Sequence, residues 1–379
     1  MKQLSDTSSS GSSPNQLGDF HSSLLQYYDR FRRDLPWRGE TDPYRILVSE
    51  IMLQQTRVET VLRYYESWLK QFPTLGTLAS ADSTEVLKAW EGLGYYRRAK
   101  NLHRAAKHIR NVLGGRFPTS SRDLRQLPGV GQYTAGAVAS IGFGEIVPAV
   151  DGNVRRVLAR LFDKHEPGVR WLNHTAASLV DKDRPGDWNQ ALMELGAMIC
   201  APKNPRCEDC PVQRWCTAHE QGTQALSPAG IRRAPAREIF FLLVILQTEE
   251  GEVMLVRRPD KGLLAGMWAF PEQELPKPLD CSTTSRDRAI GLAMTLGAEV
   301  VGHASALSEI QHRFTHLQAR YRPWVVPVAK LLTGEGSMWM TPGEPVDFPI
   351  PAAQHKVLDA LAECRATPDS LESHTGNPI

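Results

Sequence analysis

Apolar residues recur at three- and four-residue intervals from Phe20 to Thr217, the period of helices packed around a core. Helix starts punctuate that stretch. In Thr41-Asp42-Pro43 an aspartate able to cap precedes a proline suited to the first helical position. Ala81-Asp82-Ser83-Thr84-Glu85 carries a second such start. After residue 237 the period changes. Glu238–Gln247, Val253–Arg258 and Arg322–Leu331 are rich in Phe, Val, Leu and Ile and predict strands, while Ser285–Leu296 and Ala352–Cys364 predict helices. The chain thus divides into a mainly α domain over 19–218, a polar linker over 219–237 and a smaller α+β domain over 238–364. Residues 1–18, rich in Ser, Gly and Asn, predict a disordered tail, and 365–379 a polar one.

A length of 379 residues fits two such domains at about 100–200 residues each. The longest apolar run, Ile239–Leu246, is eight residues, far short of the roughly 20 a membrane helix needs. The first residues lack the apolar core of a secretory signal. The 44 Lys and Arg nearly balance the 42 Asp and Glu, so net charge selects no partner. The distribution says more. Nine Lys or Arg fall between Arg97 and Arg125 against one acid, Asp123, several at helical spacing. That stripe is either a solvated face or a surface for a polyanion.

Leu127-Pro-Gly-Val-Gly131 precedes an apolar, small-residue helix, and Ser121–Gln126 predicts a helix before it. Two helices joined by such a turn form a helix–hairpin–helix, here over about 121–140. The amides of Gly129, Val130 and Gly131 at a helix N-terminus suit a backbone phosphate irrespective of base. Cys200, Cys207, Cys210 and Cys216 follow C-x6-C-x2-C-x5-C, enough thiolates within seventeen residues to close a zinc site or a cubane iron–sulfur cluster. With all four positions filled by protein, that group staples a basic loop rather than binding substrate. Glu50 is the one acid among Ile46, Leu47, Ile51 and Leu53, so its pKa should rise and hold a proton near neutrality. Asp151 precedes another helix, and an N-terminal position there favours its charged form. One protonated and one ionised carboxyl is the pair that glycosidic cleavage through an oxocarbenium-like transition state requires.

Taken together, Pro36-Trp-Arg38, Ser49-Glu-Ile-Met-Leu-Gln-Gln-Thr56, Glu91-Gly-Leu-Gly-Tyr-Tyr96, Leu127–Ala135, Val150-Asp-Gly-Asn153 and the four cysteines resemble the endonuclease III superfamily of DNA glycosylases. Within it the chain resembles the adenine-excising, MutY-type branch. The resemblance covers nearly all of the helical domain and implies a [4Fe–4S] cluster. Relatives that also nick DNA carry a lysine two residues after the second hairpin glycine, and its amine forms a Schiff base with the sugar. Tyr133 stands there, and a phenol cannot form an imine, so hydrolysis without efficient strand cleavage follows. The resemblance implies that Glu50 protonates the extruded adenine, Asp151 stabilises the sugar cation, and Tyr133 and Asn153 orient the two. It further implies an adenine pocket of Trp37, Arg38 and Gln190, a gap bordered by Gln55 and Thr56, and a wedge of Leu93 and Tyr95.

Residues 238–363 resemble the Nudix-like C-terminal domain of the same enzymes, most clearly at Gly262–Glu272. Ser285–Val300 lacks the clustered glutamates of a working Nudix hydrolase, which disfavours nucleotide hydrolysis. The resemblance implies that His312 and the loop Phe314, Thr315 and His316 read 8-oxoguanine, with Thr315 replacing the family's serine. The expected partner is therefore double-stranded DNA carrying A:8-oxoG or A:G mispairs, met by a monomer with no membrane attachment. A bacterial cytoplasm is expected, or a nucleus or mitochondrion for a eukaryotic source. The rivals are a bifunctional pyrimidine glycosylase with lyase activity and a non-catalytic iron–sulfur DNA-binding protein.

Overall fold

The computed structural model describes residues 15–230, 235–279, 282–314, 317–329, 334 and 336–366. They form two compact units. The first takes the chain up to Ala81 and again from Arg97 to Arg232; the second takes Asp82–Tyr96 and the chain after Arg233. Among the described residues no helix is long and apolar enough to cross a membrane.

The first unit is helical: α1 (Asn15–Phe31), α2 (Pro43–Leu53), α3 (Val58–Gln71) and α4 (Leu75–Ser80) precede the excursion that holds α5 (Ser83–Ala89). After it come α6 (Arg97–Asn111), α7 (Ser121–Leu124), α8 (Gln132–Phe143), α9 (Gly152–Leu161), α10 (Val169–Ser178), α11 (Pro185–Met198) and α12 (Thr217–Gln221). The predicted caps are present. Asp42 accepts from the Tyr44 amide with Pro43 opening α2, and Asp82 and Glu85 close a capping box on α5. α11 is central because it is apolar around most of its circumference. Its Trp188, Leu192 and Leu195 join Phe20, Leu24 and Tyr28 of α1 and Leu158 of α9 in one core. Glycines let α11 approach its neighbours closely: a Cβ at Gly186 would lie 2.8 Å from Ile141 Cα, and one at Gly196 2.6 Å from Asn153 Cβ.

In the second unit, β1 (Arg237–Gln247), β2 (Val253–Arg257), β3 (Trp268–Ala269), β4 (Glu272–Leu275), β5 (Ser305–Ala306), β6 (Ile310–Arg313), β7 (Leu317–Pro327) and β8 (Ser337–Met340) build one mixed sheet. α13 (Thr283–Thr295) and α14 (Ala352–Ala366) complete the unit. β1 and β7 pair in parallel over their whole length, from Arg237↔Leu317 to Gln247↔Pro327. β1 is apolar from Ile239 to Leu246 because both its faces are covered there. Phe241, Leu243 and Ile245 meet Ala353 and Val357 of α14, whereas Leu242, Val244 and Leu246 meet Ala289 and Ala293 of α13.

Several expected boundaries move. α1 starts at Asn15, inside the segment read as a tail, since extending a helix already fixed by a buried face is cheap. The strand expected at Arg322–Leu331 runs from Leu317 to Pro327, because pairing with β1 sets both its ends; Leu331 lies outside the described residues. The expected helix to Gln126 stops at Leu124, where three-residue turns lead into the hairpin. The helical domain is not an unbroken 19–218. Asp82–Tyr96 belongs to the second unit, in which Glu91 pairs with His355 at 2.7 Å and accepts from the Ile350 amide. Nor is 219–237 wholly a linker: Arg160 donates to the carbonyls of Gln224 and Ser227, which ties the segment's first half to the first unit.

Candidate active site

Glu50 lies in the last full turn of α2, buried to 6% exposure by the apolar residues that make the helix. α8 brings Tyr133 to it, and the phenol donates a 2.6 Å hydrogen bond to Glu50 Oε2. Burial raises the Glu50 pKa from its ordinary 4.5; the Tyr133 bond and the Arg38 charge pull it down, Asp151 pushes it up, and the net direction is upward. Burial and the same two carboxylates push the Tyr133 phenol well above its usual value, so it remains a neutral donor.

Asp151 caps α9. Its Oδ1 accepts from the Val154 amide at 2.7 Å and its Oδ2 from Asn153 Nδ2 at 2.9 Å. The extended approach to Asp151 is pinned by buried Asn189 of α11, which accepts from the Ala149 amide and donates to Val147 O and Ser140 Oγ. Placement before a helix led to the expectation of a depressed pKa. Burial instead dominates and raises it, and the cap, Asn153 and Arg156 recover only part of the shift. A helix N-terminus stabilises charge by partial dipoles, and here these do not replace the lost water.

Both carboxyls line one cavity of about 750 Å³, a size typical of small-molecule sites. Trp37, Arg38, Gln55, Thr56, Tyr133 and Asn153 share its wall, and Gln190 stands behind Arg38, accepting from Nη1 at 2.5 Å. A residue the sequence reading missed completes this wall. Glu194 is fully buried, takes Arg33 in a two-point pair at 2.7 and 3.0 Å, and holds Arg38 Nη2 at 2.8 Å. Burial raises its pKa, but the two guanidinia outweigh burial and hold it below the usual carboxylate value. Its signal was available: a lone acid in the apolar run Ala191–Met198, four residues after Gln190 and so on the same face.

The hairpin is formed as expected. Gly129 has φ +78°, and a Cβ there would strike Asn101 of α6. Val130 is buried, and Gly131 caps α8 without a side-chain partner. The basic stripe loses one member: Arg98 is buried and faces the end of α2 rather than solvent.

The cysteine loop packs on the core through Cys200, Cys210 and Cys216. Burial pushes the Cys210 thiol up to about 12 and Cys216 up to about 11, with the neighbouring cysteines adding to both. Cys207 is also raised, and Cys200 contributes to the shift at each of the three. The four cysteines thus lie near enough to influence one another's titration, and among the described residues no three His, Cys, Asp or Glu form a group that could hold a metal ion. Four cysteines that influence one another, three of them packed on one core, are the donor type that a metal ion or an iron–sulfur cluster takes. Donors stand beside two of the sulfurs: the cationic Arg160 has Nη1 3.3 Å from Cys200 Sγ, and the neutral Gln224 amide donates towards Cys207 Sγ.

The remaining expected site residues lie in the second unit. Leu93 is buried and Tyr95 exposed with φ +50°, and neither lines the cavity described above. His312 packs edge-on to Phe314 at 4.7 Å; its Nδ1 is buried with no hydrogen-bond partner among the described residues, and burial and Lys356 lower its pKa. Thr315 and His316 lie outside the described residues.

A helical hairpin domain with two buried carboxyls in one cavity defines a class, and sequence comparison agrees. Residues 48–181 match the HhH-GPD superfamily of base excision DNA repair proteins, and residues 242–360 match the NUDIX domain. A thermostable thymine-DNA glycosylase superposes with a TM-score of 0.51 at 32% identity, over 55% of this chain and 98% of its own. The adenine DNA glycosylase of Rattus norvegicus is 35% identical over 91% of this chain and 78% of its own length. That of Buchnera aphidicola subsp. Baizongia pistaciae is 30% identical over 90% and 96%. The chain belongs to the adenine DNA glycosylase family.

Proposed function

We propose that this chain hydrolytically excises adenine mispaired with 8-oxoguanine or guanine in double-stranded DNA, acting as a monomer and without efficient strand cleavage. The observation that carries the reading is the Tyr133–Glu50 hydrogen bond facing Asp151 across one cavity. The adenine must leave the stack to reach that cavity, at a cost of a few kcal/mol that the pocket contacts offset. Glu50, kept protonated by burial, gives its proton to the purine N7 and makes the base a neutral leaving group. Tyr133 holds one carboxyl oxygen, so the other carries the proton. Asp151, once ionised, stabilises the developing sugar cation, and the Val154 amide and Asn153 hold its oxygens in place. Water then attacks the sugar, since the phenol at position 133 offers no amine to trap it.

Cys200, Cys207, Cys210 and Cys216 would hold the [4Fe–4S] cluster, which when bound fixes the fold and charge of the basic loop around it. His312 and Phe314 are proposed to meet the 8-oxoguanine. Both buried carboxyls follow from the same packing that forms the helices, so an inert DNA-binding reading would leave two costly buried acids without a purpose.

Single-turnover excision from A:8-oxoG, A:G and A:T duplexes, run in parallel with borohydride trapping, tests the proposal. It predicts rapid excision from the first two, none from the third, and negligible trapping. Efficient trapping, or equal rates on all three, would overturn it. Glu50→Gln and Asp151→Asn should each abolish excision and keep duplex binding.

A further inference from the structure

α2 ends in a loop with one residue in a strained backbone conformation. Gln55 adopts φ +57°, a conformation L-residues avoid, and no glycine relieves it. Leu53, Gln54, Gln55 and Thr56 nevertheless form one wall of the cavity that contains both carboxyls. The bond from Gln54 Nε2 to Thr134 Oγ1, at 3.1 Å, is a single side-chain tether from the hairpin helix. The stronger hold comes from α6. Arg98, 8% exposed, points Nη1 at the carbonyls of Ile51 (3.0 Å), Met52 (2.7 Å) and Gln54 (2.6 Å) and Nη2 at Thr56 Oγ1 (3.0 Å). These carbonyls stand at a helix C-terminus, the end that attracts a cation, and those of Ile51 and Gln54 already accept only long bonds, at 3.4 and 3.5 Å, from within the loop. One planar fork therefore binds both sides of the left-handed residue.

We propose that Arg98 is a positioning residue, which keeps the Gln54–Thr56 wall formed before DNA arrives and so favours capture of the extruded base. The inference rests on the base-extruding reading given above. Arg98 touches neither carboxyl: Glu50 answers to Tyr133, Arg38 and Asp151. Loss of the fork should leave the chemistry intact and penalise extrusion. Lysine keeps the charge but, as a point donor, cannot span three carbonyls and a hydroxyl in one plane.

The test compares full-length wild type with Arg98→Lys on two duplexes. In one, adenine is paired with 8-oxoguanine; in the other, adenine faces an abasic-site analogue, so little energy is needed to unstack it. Arg98→Lys should raise the half-saturating concentration and lower the single-turnover rate on the paired duplex by about tenfold. On the unpaired adenine the maximal rate should return to within about twofold of wild type, because extrusion is then nearly free. Equal losses on both duplexes would mean that Arg98 merely supports the fold or the acid, and no loss on either would mean that the loop holds itself; each overturns the proposal. Should Arg98→Lys fail to fold, Arg98→Gln, a planar amide that is shorter and uncharged, must show the same duplex-dependent pattern. Wild type inactive on both duplexes would instead refute the proposed function.

Discussion

Replacing Tyr133 with Phe isolates one hydrogen bond, and its effect can be worked through in sign and size. Tyr133 donates to Glu50 at 2.6 Å inside a cavity wall where Glu50 is 6% exposed. A hydrogen bond to a charged acceptor contributes about 1.5–3 kcal/mol. It favours the carboxylate, so it works against burial, the largest cause of the upward shift in Glu50. Removing it should raise the Glu50 pKa further. Glu50 acts in its protonated form, so excision falls as pH rises through its pKa. The alkaline limb of the single-turnover rate on an A:8-oxoG duplex should therefore move to higher pH in Tyr133→Phe. The plateau should drop by about tenfold, as expected when a general acid loses its alignment. Stability carries a second signature. Glu50 has a raised folded-state pKa, so its stabilising contribution is present below the unfolded value of 4.5 and is lost as pH climbs through the folded pKa. Without the phenol that loss extends to higher pH. An alkaline limb that stays put, or shifts to lower pH, would refute the assignment of Tyr133 as the group that holds the acid.

Three further outcomes can be checked. Glu194→Gln leaves Arg33 and Arg38 without their shared acid and should destabilise the chain by about 3 kcal/mol in urea unfolding. Because the Glu194 pKa is held low, its contribution is present above the unfolded value of 4.5 and lost as pH falls through the folded pKa, so the variant should lose that acid limb. Gly196→Ala would place a Cβ 2.6 Å from Asn153 Cβ and push Asn153 off Asp151. Excision should slow about fivefold for the lost hydrogen bond, and a variant as active as wild type would show that Asn153 does not orient the acid. Purified chain should contain about four iron and four acid-labile sulfide, and Cys216→Ser should lower both; stoichiometric zinc without sulfide would remove the cluster from the reading.

The helical domain was legible because its information is local. Asp42 and Ser120 cap, Gly129 turns, and apolar stripes bury one face, all within a few residues of sequence. The second unit was less so, since the end of β7 is decided by a partner strand eighty residues away in sequence, Arg237 opposite Leu317. Within the site the same division holds. Glu50 could be found from its own neighbours, because burial in an apolar helix needs no partner to raise a pKa. Glu194 could not be interpreted that way: an identical local signal gives the opposite shift once Arg33 and Arg38 arrive from a segment more than 150 residues earlier. Asp151 shows the third case, in which the local cap was identified correctly and its weight was not. The cap is made, but burial outweighs it, so Asp151 needs help to stay charged. Arg156 lies on that line of support. It donates to Asn153 Oδ1 at 2.9 Å, and Asn153 in turn donates to Asp151. Protonation of Glu50 is therefore set by burial together with Tyr133 and Arg38 from distant segments, and that of Asp151 by burial against its own neighbours, so the motif identifies the reacting carboxyls without fixing their charge.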